Sequence, residues 1–158
     1  MPRVSDSVAT VGSMKDTALS VDRIIRLANQ QFPESGNACH ELGADFAVAR
    51  REVSPEQLRP GGFVSGPTQF GLADSALWYV TFVAIGRVEP MAMTSELSIR
   101  YLRPAVGEIL WARATVEVAG RRSVVGSVRI WTDDETRPTS VAQGTYMLPH
   151  TPTPLDDG

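Results

Sequence analysis

The stretch SGPTQFGLADSALWYVTFVAIG, from Ser65 to Gly86, constrains the fold more than any other part of this 158-residue chain. Ser65 suits a helix N-cap, Pro67 the first helical position and Gly86 the position just past the end, which predicts a helix over about residues 67–85. Apolar side chains, Phe70, Leu72, Leu77, Val80, Phe82 and Ile85 among them, populate every side of it. A helix that is apolar all round has to be enclosed, and one sheet covers only one face. The expected cover for the remainder is a second copy of the chain in an obligate homodimer. Asp74 is the one ionisable group in the middle of this helix. An unpaired carboxylate there would cost several kcal/mol, so Asp74 is hydrogen-bonded, faces a solvated groove, or serves as a general base or nucleophile.

The remaining pattern places that helix against a sheet. TALSVDRIIRLANQQF has near-helical apolar spacing with Pro33 as a stop signal, and predicts a short amphipathic helix. LGADFAVARREV alternates loosely and is the expected first strand, and PEQLRPGGFVSGP is a loop punctuated by glycine and proline. From Met91 the period changes to two. Met93, Leu97, Ile99 and Tyr101 alternate with Thr94, Glu96, Ser98 and Arg100, and Leu110, Ala112, Ala114, Val116 and Val118 form the next apolar face. Val124, Gly126, Val128 and Ile130 follow after the AGRR turn, and SVAQGTYML closes the series. Hairpins can join these four strands, giving an α+β layout with a mostly antiparallel sheet and a long helix against one face. One domain over 17–148 is expected, with flexible tails at 1–16 and 149–158.

Composition narrows the partners. A net charge of −3 with dispersed arginines gives no electrostatic footprint for nucleic acid or an anionic membrane. No apolar run reaches the roughly 20 residues of a bilayer span. The N-terminus lacks an apolar signal region, and the expectation is a soluble, cytoplasmic protein. Cys39 is the only cysteine, which excludes an internal disulfide and a multi-cysteine metal site. No metal or cofactor is expected.

GGFVSGPTQFGLADSALW, MTSELSIRYLRPAVGEILWARATVEVAGRRSVVGSVRIW and SVAQGTYML, spanning roughly residues 42–148, resemble the hotdog-fold acyl-CoA thioesterases of the PaaI type. The resemblance implies a long helix wrapped by an antiparallel sheet, dimerisation into a larger continuous sheet, and two active sites at the subunit interface. In that family a His-Gly-Gly triplet opens the helix and a catalytic carboxylate follows nine residues after the His. Ser65, Gly66 and Pro67 stand at the triplet here and Asp74 at the carboxylate. The family's oxyanion-binding backbone N–H maps onto Gly66, a carbonyl- or water-contacting Asn onto Arg59, and a water-orienting strand hydroxyl onto Thr94.

Gly66 and Asp74 are eight residues apart. At 1.5 Å per residue that is about 12 Å along one helix, so the two cannot touch one carbonyl carbon and a working site pairs Gly66 of one subunit with Asp74 of the other. The resemblance implies an acyl-CoA substrate, with coenzyme A as part of the substrate. Arg103, Arg121 and Arg122 are the expected phosphate contacts, and Phe63, Pro67, Phe70, Leu77 and Trp78 the expected substrate lining. Association of two dimers into a tetramer is compatible with the same fold. The competing reading is a non-catalytic acyl-CoA-binding protein on the same fold. A dehydratase or hydratase would need a histidine in the site, and the only two are His40 and His150.

Overall fold

The computed structural model describes residues 18–155, so the N-terminal tail expected at 1–16 lies outside the described residues. Among the described residues there are two α-helices, α1 (Val21–Gln31) and α2 (Gly66–Ile85). The strands are β1 (Ala38–Leu42), β2 (Phe46–Glu52), β3 (Leu58–Arg59), β4 (Phe63–Val64), β5 (Met93–Tyr101), β6 (Ile109–Ala119), β7 (Ser123–Trp131) and β8 (Ser140–Met147). Six strands make one sheet in the order β1-β2-β6-β7-β8-β5, with every pairing antiparallel, and β3 and β4 form a separate two-stranded hairpin. α2 packs against all six strands of the large sheet, which wraps it as the hotdog fold requires. No helix among the described residues is long and apolar enough to cross a membrane.

The ends of α2 are set by the residues that predicted them. Ser65 is extended (φ −63°, ψ 152°) and its hydroxyl accepts from Thr68 N, while Gly86 takes the left-handed conformation (φ 73°) and its N–H returns to Phe82 O. Between them, Leu72, Ala73, Ala76 and the run from Leu77 to Phe82 are buried. A pair of small residues lets the helix come this close. Gly126 and Gly144 face each other on β7 and β8, and a Cβ on either would stand 2.7 to 2.8 Å from Leu77 methyl carbons. Leu77 is thus a wedge between helix and sheet.

Several expectations change. Within a single chain only Pro67 and Phe70 of α2 are exposed, so the helix does not need a second subunit to enclose it. The chain supplies its own cover: α1 contributes Ile24 and Ala28 to the core, and its C-cap residue Phe32 meets Trp78 edge-on at 5.7 Å. β1 precedes the strand expected first and pairs with it across a tight turn at Gly43. It carries one buried side chain, Cys39, and a bulge, so no alternation marks it. The expected loop at 55–67 holds the β3–β4 hairpin and the first two residues of α2.

Two bulges also break the period-two reading, because one extra residue on a strand moves every later side chain to the other face. In β5 the register shifts between Thr94 and Glu96, so that Thr94 lies opposite the inward Tyr146 while Leu97 lies opposite the inward Gly144. Thr94 therefore shares the inner face with Leu97 rather than the outer face with Glu96. In β6 a shift between Val116 and Val118 leaves Val118 63% exposed. β5 is an edge strand with no fully buried residue, and its ends, Met93 and Tyr101, are 65% and 51% exposed.

Candidate active site

The first turn of a helix carries backbone N–H groups with no partner inside the helix. In α2 most of them are used or absent: Pro67 has none, Thr68 N donates to Ser65 Oγ and Gln69 N to Ser65 O. Gly66 N is the N–H of this turn that no acceptor among the described residues takes. The turn is held on several sides. Ser65 N donates to Gln57 O at 2.8 Å, Val64 N to Ala105 O at 2.8 Å, and the Tyr101 hydroxyl to Gly66 O at 2.9 Å. Buried Gln69 donates to Val64 O and accepts from the hydroxyls of Thr139 and Ser140, so all three of its contacts fix the helix start to its surroundings. The Ser65 and Thr68 hydroxyls lie 2.7 Å apart and complete the cap. A free, fixed N–H at the positive end of a helix is a built donor for a carbonyl oxygen or a developing oxyanion.

Two turns further on, Asp74 is partly exposed. The Thr94 hydroxyl donates to Asp74 Oδ1 at 2.7 Å and the Tyr146 hydroxyl to the same oxygen at 2.7 Å. Burial first, and then the Asp74 carboxylate, push the Tyr146 phenol far above its ordinary value, so it stays protonated as a donor. Asp74, Thr94 and Tyr146 line a cavity of about 470 Å³ whose other walls include Phe32, Trp78 and Met93. Asn37 and Ser75 lie in its polar wall, where Asn37 Nδ2 donates to Ser75 Oγ at 2.9 Å and Arg51 donates to Asn37 Oδ1 at 3.1 Å.

The other expected residues fall into two groups. Arg59, Phe63, Pro67 and Arg103 line a separate, more open groove with Gly66 and Tyr101. Arg59 is therefore on the Gly66 side within one chain, and Arg103 is tied there by donating to Pro138 O at 3.0 Å. Trp78 and Thr94 lie on the Asp74 side. The Arg121–Arg122 turn precedes β7, whose first residue Ser123 pairs with Met147, itself opposite Met93, so this turn is at the Asp74 end of the sheet. Arg122 Nη1 lies 3.2 Å from His150 Nε2. Leu77 and Phe70 line neither cavity: Leu77 is the wedge under the sheet and Phe70 is 38% exposed on the helix flank. His40 packs edge-on to Trp111 at 4.8 Å, away from Asp74. Cys39 is buried and its thiol is pushed up to about 12 by burial, the opposite of an activated nucleophile. Among the described residues no group of three His, Cys, Asp or Glu side chains is placed to hold a metal ion.

Sequence reasoning missed Tyr146, Asn37, Ser75 and Phe32. Tyr146 carried a usable signal, since it is in phase with Ala142 and Gly144 on an inward face of small residues, where a phenol needs a polar partner.

Comparison with known proteins agrees with this fold. The model of the thioesterase superfamily matches residues 61–139, half of the chain, from the turn between β3 and β4 through α2, β5, β6 and β7 to the residue before β8. Among solved structures, a candidate thioesterase from Silicibacter sp. TM1040 is 26% identical, with a TM-score of 0.74 over 84% of this chain and 94% of that one. The PaaI protein of the Escherichia coli phenylacetic acid degradation operon is 23% identical, with a TM-score of 0.63 over 80% and 90%. A Haemophilus influenzae thioesterase is 20% identical, with a TM-score of 0.72 over 85% and 93%. No curated protein sequence matches the chain. The chain belongs to the thioesterase superfamily, on the hotdog fold that these neighbours share.

Proposed function

We propose that the protein hydrolyses an acyl-CoA thioester to the free acid and coenzyme A, as a homodimer whose two sites each combine Asp74 of one subunit with the Gly66 N–H of the other. The observation that carries this reading is the separation of the two groups. The free Gly66 N–H opens on a groove with Tyr101, and Asp74 on a cavity with Met93 and Thr94, at opposite ends of the exposed edge strand β5. Antiparallel pairing of β5 with its own copy about a two-fold axis brings the Met93 end of each strand to the Tyr101 end of the other, and so each cavity to the partner's groove. The same pairing covers an edge that otherwise presents unpaired backbone groups and exposed Met93, Tyr101 and Leu102.

In such a site the thioester carbonyl oxygen accepts from Gly66 N–H and the acyl group enters the cavity walled by Phe32, Trp78 and Met93. Asp74 then takes a proton from water as it attacks the carbonyl carbon, or attacks directly to give a mixed anhydride that water cleaves. In both routes the C–S bond breaks and the thiolate leaves with the electron pair. Arg121 and Arg122 stand at the Asp74 end and Arg103 at the Gly66 end, where they meet across the proposed interface and are available to the phosphates of CoA. A soluble cytoplasmic setting is part of the proposal.

The test is thiol release from a panel of aliphatic and aryl acyl-CoAs by wild type and Asp74→Asn. Turnover by wild type that falls about 10²-fold or more in the variant is the expected result. Binding without hydrolysis of any substrate would support a non-catalytic acyl-CoA-binding protein. Equal turnover by both would remove Asp74 from the chemistry.

A further inference from the structure

A carboxylate is a rotor as well as a base. The terminal torsion of an aspartate is broad and nearly two-fold, so a free side chain presents either oxygen over a wide range of angles. Asp74 is held against this freedom. Two hydroxyls converge on one of its oxygens, Thr94 Oγ1 at 2.7 Å and Tyr146 Oη at 2.7 Å, and no donor among the described residues reaches Oδ2. The two hydroxyls come from directly opposed positions on adjacent strands, since Thr94 pairs with Tyr146 in the β5–β8 register. The bulge that follows Thr94 is what puts it on the inner face, where Tyr146 already lies by the regular alternation of β8. Tyr146 is 5% exposed and also lies 3.1 Å from the Asp74 carbonyl oxygen. Its single proton goes to the nearer, charged acceptor, and the helix carbonyl limits where the phenol can swing.

The geometry points to Tyr146 as a positioning residue which, together with Thr94, clamps Oδ1 of Asp74 and leaves Oδ2 as the one oxygen aimed at the reacting carbonyl or its water. This rests on the reading of Asp74 as the catalytic carboxylate and extends it to a residue that acts through Asp74. A one-oxygen clamp fixes the plane of attack before substrate arrives, and small misplacements of a reacting group are costly in rate. The ordinary structural role of a buried phenol, finding a partner for its hydroxyl, would affect stability alone.

The experiment compares wild type, Tyr146→Phe, Thr94→Val and the double variant. Tyr146→Phe keeps the ring and removes only the donor. The clamp predicts a fall in kcat of about tenfold or more with KM held within about twofold, and a double variant that loses more than the product of the two single losses, because in each single variant the remaining donor still restrains Oδ1 in part. A high-resolution crystal structure of Tyr146→Phe supplies the readout that does not depend on activity: the Asp74 carboxylate rotates or takes more than one orientation. Unchanged kcat, or a carboxylate plane that coincides with wild type, overturns the clamp. If Asp74→Asn retains wild-type turnover, the catalytic reading fails and the crystallographic arm still decides the clamp. If Tyr146→Phe does not fold, the hydroxyl proton of Tyr146 in the wild-type NMR spectrum decides it instead. A downfield, slowly exchanging resonance that moves in Asp74→Asn supports the clamp, and rapid exchange overturns it.

Discussion

The proposed division of the site between subunits has a quantitative consequence that a self-contained site would not share. Gly66→Pro removes the one free N–H of the first turn and keeps a residue suited to the first helical position. The added ring meets Tyr101, whose Cζ and hydroxyl lie 3.0 Å from an ideal Cβ at Gly66, but Tyr101 is half exposed and has room to yield. Asp74→Asn keeps the shape of the side chain and removes its basicity. Loss of one oxyanion donor lowers kcat by about 10²–10³-fold, and loss of a general base by about 10²–10⁴-fold. When the two variants are refolded together in equal amounts, about half of the dimers are mixed, and each mixed dimer has one intact site and one that lacks both groups. The mixture should therefore recover ~25% of wild-type turnover per subunit pair, roughly 25-fold above a parent reduced 10²-fold. Thiol release reads the activity, and native mass spectrometry confirms that mixed dimers formed. Turnover equal to the mean of the two parents, in a sample that contains mixed dimers, would refute the divided site.

Three further outcomes follow from the same contacts. Gly144→Ala places a Cβ 2.7 Å from Glu96 O and 2.8 Å from a Leu77 methyl, and since backbone cannot move aside cheaply the variant should lose about 1–3 kcal/mol in denaturant unfolding. Burial alone would raise Glu89, but hydrogen bonds from Thr153, Arg87 and the Met91 N–H outweigh it and hold the carboxyl below its ordinary value. A depressed value means that the stabilisation is fully present above the ordinary carboxylate range, about pH 4.3, and is lost as pH falls through the folded-state value. The thermal-stability gap between wild type and Glu89→Gln should thus be constant near neutral pH and narrow in acid, and a gap that widens in acid would contradict the assignment. Cys39, buried and raised to about 12, should react with a thiol reagent only on unfolding, and Cys39→Ser should keep wild-type turnover, a result that rapid labelling of the folded protein would oppose.

The parts of the fold that were legible in the sequence are those in which local chemistry and tertiary packing ask for the same residue. Ser65 and Gly86 cap α2 because a side-chain acceptor and a left-handed residue are needed at those points in any surroundings, and the strict alternation through Leu110, Ala112 and Ala114 marks a strand with one buried face. What was illegible lies where a single residue breaks a period. Thr94 reads as outward by alternation, and only the bulge before Glu96 turns it toward Asp74. Nothing in Ser95 itself announces an extra residue, because the bulge is fixed by pairing with β8, some 50 residues further along the chain. The inference of a dimer also rested on the wrong surface. α1 and the sheet enclose α2 within one chain, and the exposed edge that can take a partner is β5, with Met93 and Tyr101, whose sequence looks like that of an ordinary half-buried strand.

The same limit explains how SGP can stand where the family has a His-Gly-Gly triplet. Read alone, Ser65 removes a supporting ring and Pro67 removes an N–H. In the folded chain the support comes from elsewhere: Gln69 reaches Val64, Thr139 and Ser140, Tyr101 holds the Gly66 carbonyl, and Ser65 satisfies Thr68. Pro67 then acts in favour of the site, because with its own N–H absent and the next two taken, a carbonyl oxygen arriving at the helix end meets one donor, Gly66 N, at one fixed position. A single rigid donor selects one approach of the thioester. On the proposed reading the carboxylate that meets the thioester from the opposite side is held as firmly, by Thr94 of the edge strand and Tyr146 of its neighbour β8.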